Sequence, residues 1–262
     1  MRVKRIMACI GIIVLEGIML CWLVAGKPKT APENEQWNAS VMPSVGGGAG
    51  SEKKDGRKDS DGIVFDRKSP KLVLVNKKNE LDPGYDASLR YICNGRLQAS
   101  RRLYRMLVQM LKDARKEGYH YWIASAYRSR EKQKKLIEVD VRKEMQRGFS
   151  YKKALRLTLS ETMLPGHSEH ETGLALDILC SGNMNMDSSQ EEEPGNVWLR
   201  ENCHRYGFIL RYPKDKEEIT EIHYEPWHFR YVGKDAAERI YETGSCLEEY
   251  LEDMELIELA GE

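Results

Sequence analysis

Three short stretches of this 262-residue chain hold side chains of the types that hydrolytic chemistry uses. In the first, Ser168, His170, Gly173, Ala175 and Asp177 fall within ten residues. From Gly173 onward the order alternates: Gly173, Ala175 and Asp177 point one way, and Leu174, Leu176 and Ile178 the other. The large apolar face goes to the core. The opposite face carries little side chain until Asp177, which leaves open space in front of that carboxylate, and His170 can fold over it. In the second stretch Glu225 precedes Pro226, which sets an extended backbone, and His228 and Arg230 then share a strand face opposite Trp227, Phe229 and Tyr231. Two imidazoles and one carboxylate are a common catalytic zinc set that leaves a fourth position for water. Glu225 lies beside such a set without being needed in it, as a general base would. In the third stretch, Ser125, Tyr127, Arg128, Ser129 and Gln133, an arginine just past a strand can polarise a carbonyl and stabilise an oxyanion.

The elements that must position these groups can be read from periodicity. Leu103, Met106, Leu107, Met110, Leu111 and Ala114 recur at helical spacing, and Gly118 is placed to end that helix. Helices are also expected from about Glu131 to Arg147 and from Tyr151 to about Met163, with one or two more after Asp235. Strands are expected at Leu72–Val75, Tyr119–Ala124, Gly173–Leu179, Tyr206–Tyr212 and Trp227–Val232. They do not alternate with helices as βαβ units do, so the expected class is α+β with a small antiparallel sheet flanked by helices.

Composition limits the function. Lys+Arg and Asp+Glu both number 41, and the formal net charge of zero argues against a nucleic-acid partner. No glycine-rich phosphate loop or dinucleotide fingerprint is present. Residues 6–26 form an apolar run broken by Glu16 and preceded by Arg2, Lys4 and Arg5. That is long enough for one transmembrane helix with its N-terminus in the cytoplasm. Glu16 would cost roughly 2–3 kcal/mol, which the Ile, Leu and Val residues can offset. The rival is a cleaved signal peptide, for which Val24, Ala25 and Gly26 make a poor processing site. Within residues 27–62 the run from Val45 to Asp61 has almost no apolar side chains, and the segment reads as a disordered tether with a reach of roughly 30–35 Å. Cys93, Cys180, Cys203 and Cys246 lie beyond it, where an oxidising exterior permits disulfides; Cys180–Cys203 is the favoured pair.

Taken together, S-x-H-x-x-G-x-A-x-D at 168–177, E-P-W-H-x-R-Y at 225–231 and S-x-Y-R-S-x-x-x-Q at 125–133 resemble the VanY-like D-alanyl-D-alanine carboxypeptidases. These belong to a wider group with the lysostaphin-type peptidases and the Hedgehog signalling domain. The likeness runs from about residue 70 to 245. It implies one Zn2+ ion held by His170, Asp177 and His228, with Glu225 as catalytic base and Arg128 as the carbonyl-binding arginine. It further implies that Ser168 binds the substrate's terminal carboxylate and that Gln133 and Tyr127 line the pocket. The expected substrate is a peptidoglycan stem peptide ending in D-Ala-D-Ala, cleaved outside the cell. The expected layout is a cytoplasmic stub (1–5), a signal anchor (6–26), a linker (27–62) and a zinc carboxypeptidase domain (63–262). Alternatives with the same machinery are an L,D-carboxypeptidase, a dipeptidase or an endopeptidase, and outside catalysis a zinc-stabilised wall-binding module.

Other polar residues take plainer roles. His120, His204 and His223 are structural, and the motif leaves His167 variable. Trp227 is scaffold, and Arg230 can orient a ligand without touching the metal. Glu169, Glu171 and the run Glu191 to Glu193 are expected to be solvated.

Overall fold

The computed structural model describes residues 57–58, 64–65 and 69–260. The expected anchor at 6–26 lies outside the described residues, as does nearly all of the linker. The linker's Arg57–Lys58 (β1) pairs antiparallel with Val64–Phe65 (β2). Among the described residues no helix is long and apolar enough to cross a membrane.

A hairpin of β3 (Leu89–Ile92) and β4 (Leu97–Ser100) comes next and leads directly into α1 (Arg101–Lys116). Ser100 caps this helix by accepting the Arg102 amide proton, and Leu103, Leu107, Met110 and Ala114 form its buried stripe. Gly118 ends it in the left-handed region at φ +91°, donating to the Arg115 carbonyl. After β5 (Tyr121–Ser125) come α2 (Arg130–Gln146) and α3 (Tyr151–Glu161), which pack on each other through Ile137, Val141 and Ala154. The remaining elements are β6 (Ala175–Cys180), α4 (Pro194–Asn202), β7 (Phe208–Leu210), the one-turn α5 (Glu217–Thr220), β8 (His228–Tyr231), α6 (Lys234–Thr243) and α7 (Leu247–Ala260).

The main sheet is antiparallel throughout, in the order β5-β6-β8-β7. Leu174, Leu176 and Ile178 join Phe229 and Tyr231 in a core completed by α1 and by Trp198 and Leu199 of α4. A second cluster, with Ile209, Val232, Ile240 and Leu247, seats α6 and α7. This is the expected α+β architecture, with β6 and β8 at its centre.

Three expectations are corrected. Leu72–Val75 forms no strand; the buried Arg230 guanidinium instead takes the Lys71 and Val73 carbonyls at 3.1 and 2.8 Å, so a side chain does the work of a ladder. The hairpin β3–β4 and helix α4 stand where none was expected. The hairpin turns at Cys93 and Asn94, both at positive φ, just before Gly95, and α4 opens with Pro194 in its first turn. Cys180 and Cys203 are both buried and unbridged, and Cys93 and Cys246 are free too. Cys203 packs within the main core, and burial pushes the Cys180 and Cys203 thiols up to about 11 and about 12.

Candidate active site

The centre of the sheet builds the site. β6 and β8 are neighbours, and their register sets Asp177 directly opposite His228. His170 arrives from a 3-10 turn, Glu169–Thr172, immediately before β6. Gly173 converts that turn into the strand at φ +69°, and a Cβ there would lie 3.0 Å from both the Ser100 amide nitrogen and a Leu89 methyl. The chain therefore needs glycine at this point on two counts.

β5 completes the frame. Its pairing with β6 is irregular between Ile123 and Ser125, which oppose Ile178 and Asp177. Beyond that irregularity the segment Ala126–Arg128 lies against the histidine turn. The Arg128 amide donates to the His170 carbonyl at 3.1 Å, and His170 Nδ1 lies 2.7 Å from the Ala126 carbonyl oxygen. With Nδ1 so engaged, His170 Nε2 faces Asp177 Oδ2 at 3.3 Å. His228 Nδ1 lies 3.4 Å from Asp177 Oδ1 and 3.3 Å from Glu225 Oε2.

His170, Asp177 and His228 are each 5% exposed, and each offers one ligand atom within 4.8 Å of the others. Burial works to raise the Asp177 carboxyl pKa, but the two imidazoles hold it well below the usual carboxylate range. Burial likewise works against a charged His228, and the Asp177, Glu169 and Glu225 carboxylates overcome it and raise its pKa well above the ordinary value. Asp177 Oδ1 is buried without a hydrogen-bond donor. A metal cation would take up that oxygen together with the facing imidazole nitrogens, and the set matches the three protein ligands of a catalytic zinc site.

Glu225 is fixed beside the trio by its backbone: its amide donates to the Tyr212 carbonyl and its carbonyl accepts from the His228 amide. Its side chain stays partly open to solvent, unlike those of the trio. Arg128 is half-buried; burial lowers its pKa, and Asp177 and Glu225 are the foremost charges that oppose this. Ser168 is buried at the head of the histidine turn. Tyr127 is half-buried, and after burial the charges that raise its pKa are Glu131 and Glu171. Gln133 is buried on α2, and its amide nitrogen donates to the Met163 carbonyl.

Glu169 and Glu171 are not solvated, contrary to expectation. Glu169 is 2% exposed, and its Oε1 accepts from Arg211 at 2.8 Å and Arg230 at 2.7 Å, while Oε2 lies 3.6 Å from His228 Nε2. Burial opposes its charge, but Arg211 and Arg230 keep its pKa below the normal carboxylate range. Arg211 is clamped in turn by both oxygens of Glu248 from α7, at 2.8 and 2.7 Å. Glu171 accepts from the Gly166 amide and from Arg130, pinning the loop ahead of the histidine turn. The Tyr212 ring, also unforeseen, packs 4.9 Å from the His228 ring. His204 stacks on Tyr241 and His167 meets the Asn76 carbonyl, so both serve packing.

An α+β domain with two histidines and an aspartate converging at its sheet centre, and a separate glutamate beside them, has the make-up of a mononuclear zinc hydrolase. Residues 96–234 match the family model of VanY, D-alanyl-D-alanine carboxypeptidase. A D-alanyl-D-alanine carboxypeptidase of Enterococcus faecalis is 41% identical over 180 residues, covering 69% of this chain and 65% of that protein. The putative carboxypeptidase YodJ of Bacillus subtilis is 36% identical over 196 residues, 71% of this chain and 68% of its own. Among solved structures, VanYB in complex with D-alanine-D-alanine superposes with a TM-score of 0.62 at 40% identity, covering 70% of this chain and 97% of that one. The LdcB LD-carboxypeptidase gives the same TM-score at 33% identity, covering 77% and 96%. The chain belongs to the VanY D-alanyl-D-alanine carboxypeptidase family.

Proposed function

We propose that this domain is a zinc-dependent D,D-carboxypeptidase that removes the terminal D-alanine from peptidoglycan stem peptides ending in D-Ala-D-Ala. The observation that carries the reading is the convergence of His170, Asp177 and His228 with Glu225 held 3.3 Å from His228 and outside the ligand group. Relatives point the same way: one solved VanY structure is a complex with Zn(II) and another a complex with D-alanine-D-alanine.

His170 through Nε2, His228 through Nδ1 and Asp177 would hold the zinc ion, since these atoms face one another. When bound, zinc supplies Lewis-acid polarisation of a carbonyl and a water more acidic than bulk water. Glu225 accepts the proton of the attacking water at its carboxylate and returns it to the departing amine of D-alanine, so its charge is restored each turnover. The Arg128 guanidinium donates to the oxygen that becomes anionic as the carbonyl turns tetrahedral. Ser168, at the head of the histidine turn, accounts for recognition of the free carboxylate that makes this an exopeptidase. Tyr127 and Gln133 are assigned to the substrate pocket, Gln133 from a buried position on α2 where its amide nitrogen holds the Met163 carbonyl.

A second reading, L,D-carboxypeptidase, draws on the match to the LdcB LD-carboxypeptidase over 77% of the chain. Mass spectrometry of pentapeptide and tetrapeptide stems incubated with the zinc-loaded domain separates the two. Loss of one alanine from the pentapeptide alone is the expected result, and loss only from the tetrapeptide gives the L,D reading. For the cell, the proposal is a domain held at the outer membrane face by residues 6–26 and spaced from it by 27–62; the apolar run behind three basic residues supports this. Membrane fractionation of the full chain tests it, with recovery in the membrane pellet expected and recovery in the medium against it.

A further inference from the structure

We propose that Glu169 is the positioning residue of His228: its carboxylate accepts the Nε2 proton of the imidazole and so presents an unprotonated Nδ1 to the metal. The inference rests on the zinc reading above and assigns work to a residue outside the ligand set and the catalytic pair.

The geometry is specific. His228 Nε2 and Glu169 Oε2 are both buried without a hydrogen-bond partner, and they face each other across 3.6 Å, a gap that a small movement of the ring closes. The opposite ring nitrogen, Nδ1, is the one turned to Asp177 and Glu225. A neutral imidazole carries one proton, so whatever fixes it on Nε2 frees Nδ1 to bind a metal. His170 is handled in the mirror sense, its Nδ1 held by the Ala126 carbonyl and its Nε2 left for the metal. The two histidines thus have back-side partners of different strength, a neutral carbonyl for one and a carboxylate for the other. A carboxylate partner fixes the tautomer and raises the basicity of the ligand.

Glu169 is held for this task and cannot easily turn away. Arg211 and Arg230 both donate to Oε1, which leaves Oε2 for the histidine. Arg211 is braced by Glu248 and Arg230 by the carbonyls of Lys71 and Val73. This arrangement explains why a glutamine would not serve. With two guanidiniums requiring an oxygen on their side, the amide must turn its NH2 group toward His228 Nε2. That donor would drive the imidazole proton onto Nδ1, where it blocks the metal.

The test compares zinc affinity, by competition with a chromogenic chelator, in wild type, Glu169→Gln and Ile240→Ala. Ile240, on α6, packs in the second cluster away from the site, and its truncation is expected to destabilise the chain with the site residues intact. Metal-free melting temperatures calibrate the loss of stability in both variants. The expected result is a zinc Kd about 10–100-fold weaker in Glu169→Gln, as for other outer partners of ligand histidines, and within about 3-fold of wild type in Ile240→Ala. Equal zinc affinity in wild type and Glu169→Gln overturns the inference while the zinc reading stands. Affinity that falls in both variants in step with melting temperature overturns it too. A wild type that binds no zinc overturns both readings together. Should Glu169→Gln not fold, the nitrogen-15 spectrum of histidine-labelled, zinc-loaded wild type decides: a proton on His228 Nε2 with Nδ1 bound is required, and the reverse tautomer refutes the assignment.

Discussion

Asp177 and His228 are cross-strand partners in the middle of the sheet, with Oδ1 and Nδ1 3.4 Å apart. Two groups of a candidate metal site are therefore fixed by ladder hydrogen bonds rather than by a loop, a basis for pre-organised chemistry. The proposed base and oxyanion partner flank strands of the same sheet, Glu225 three residues before His228 and Arg128 three residues after the last residue of β5.

Glu225→Gln removes the proposed proton acceptor and leaves the three candidate ligand groups, His170, Asp177 and His228. Release of D-alanine from a pentapeptide should fall about 10²–10⁴-fold in kcat. Zinc content, read by atomic emission, should stay at the wild-type level. Retention of more than a tenth of the wild-type rate would assign the base elsewhere.

Arg128→Met keeps an apolar stem in place of the side chain and deletes its charged guanidinium end. Loss of a donor to the developing oxyanion should lower kcat by about 10²-fold, with a smaller change in KM. A rise in KM at unchanged kcat would instead make Arg128 a ground-state binding residue.

Gly173→Ala places a Cβ 3.0 Å from the Ser100 amide nitrogen on a backbone at φ +69°. The strained backbone and the clash should cost about 1–3 kcal/mol in urea unfolding. A loss below about 0.5 kcal/mol would mean that the turn adjusts without penalty.

The expectations that held and those that failed divide along physical lines. β6 was legible because alternation over Leu174, Leu176 and Ile178 is enforced by a core that accepts only one face. α1 was legible because its apolar stripe is continuous. Leu72–Val75 has strand composition, but its carbonyls answer to Arg230, more than 150 residues away, and no local pattern carries that. The burial of Glu169 and Glu171 was hidden for the same reason: their arginine partners stand 42, 61 and 41 residues distant. The β3–β4 hairpin did leave a signal in Asn94-Gly95, which its short, half-polar strands obscure.

Stability should carry an acid signature at Asp113 on α1. Hydrogen bonds from Lys116 and Gln109 first, then from Tyr206, hold its carboxyl down to about 2. A depressed pKa stabilises the fold above the unfolded-state value of about 3.9, and that share is lost as pH falls through about 2. The melting-temperature gap between wild type and Asp113→Asn should be full above about pH 5 and close on descent toward pH 2. A gap independent of pH would assign the effect of the substitution to something other than charge.

The most direct test of the central claim is a zinc titration of the metal-free domain, following D-alanine release from a D-Ala-D-Ala pentapeptide. Activity should be absent at the start, rise linearly and saturate at one equivalent of zinc, with His228→Ala inactive at that point. Release that proceeds without zinc, or no release at any zinc level while the metal is bound, would contradict a single-zinc D,D-carboxypeptidase centred on His170, Asp177 and His228.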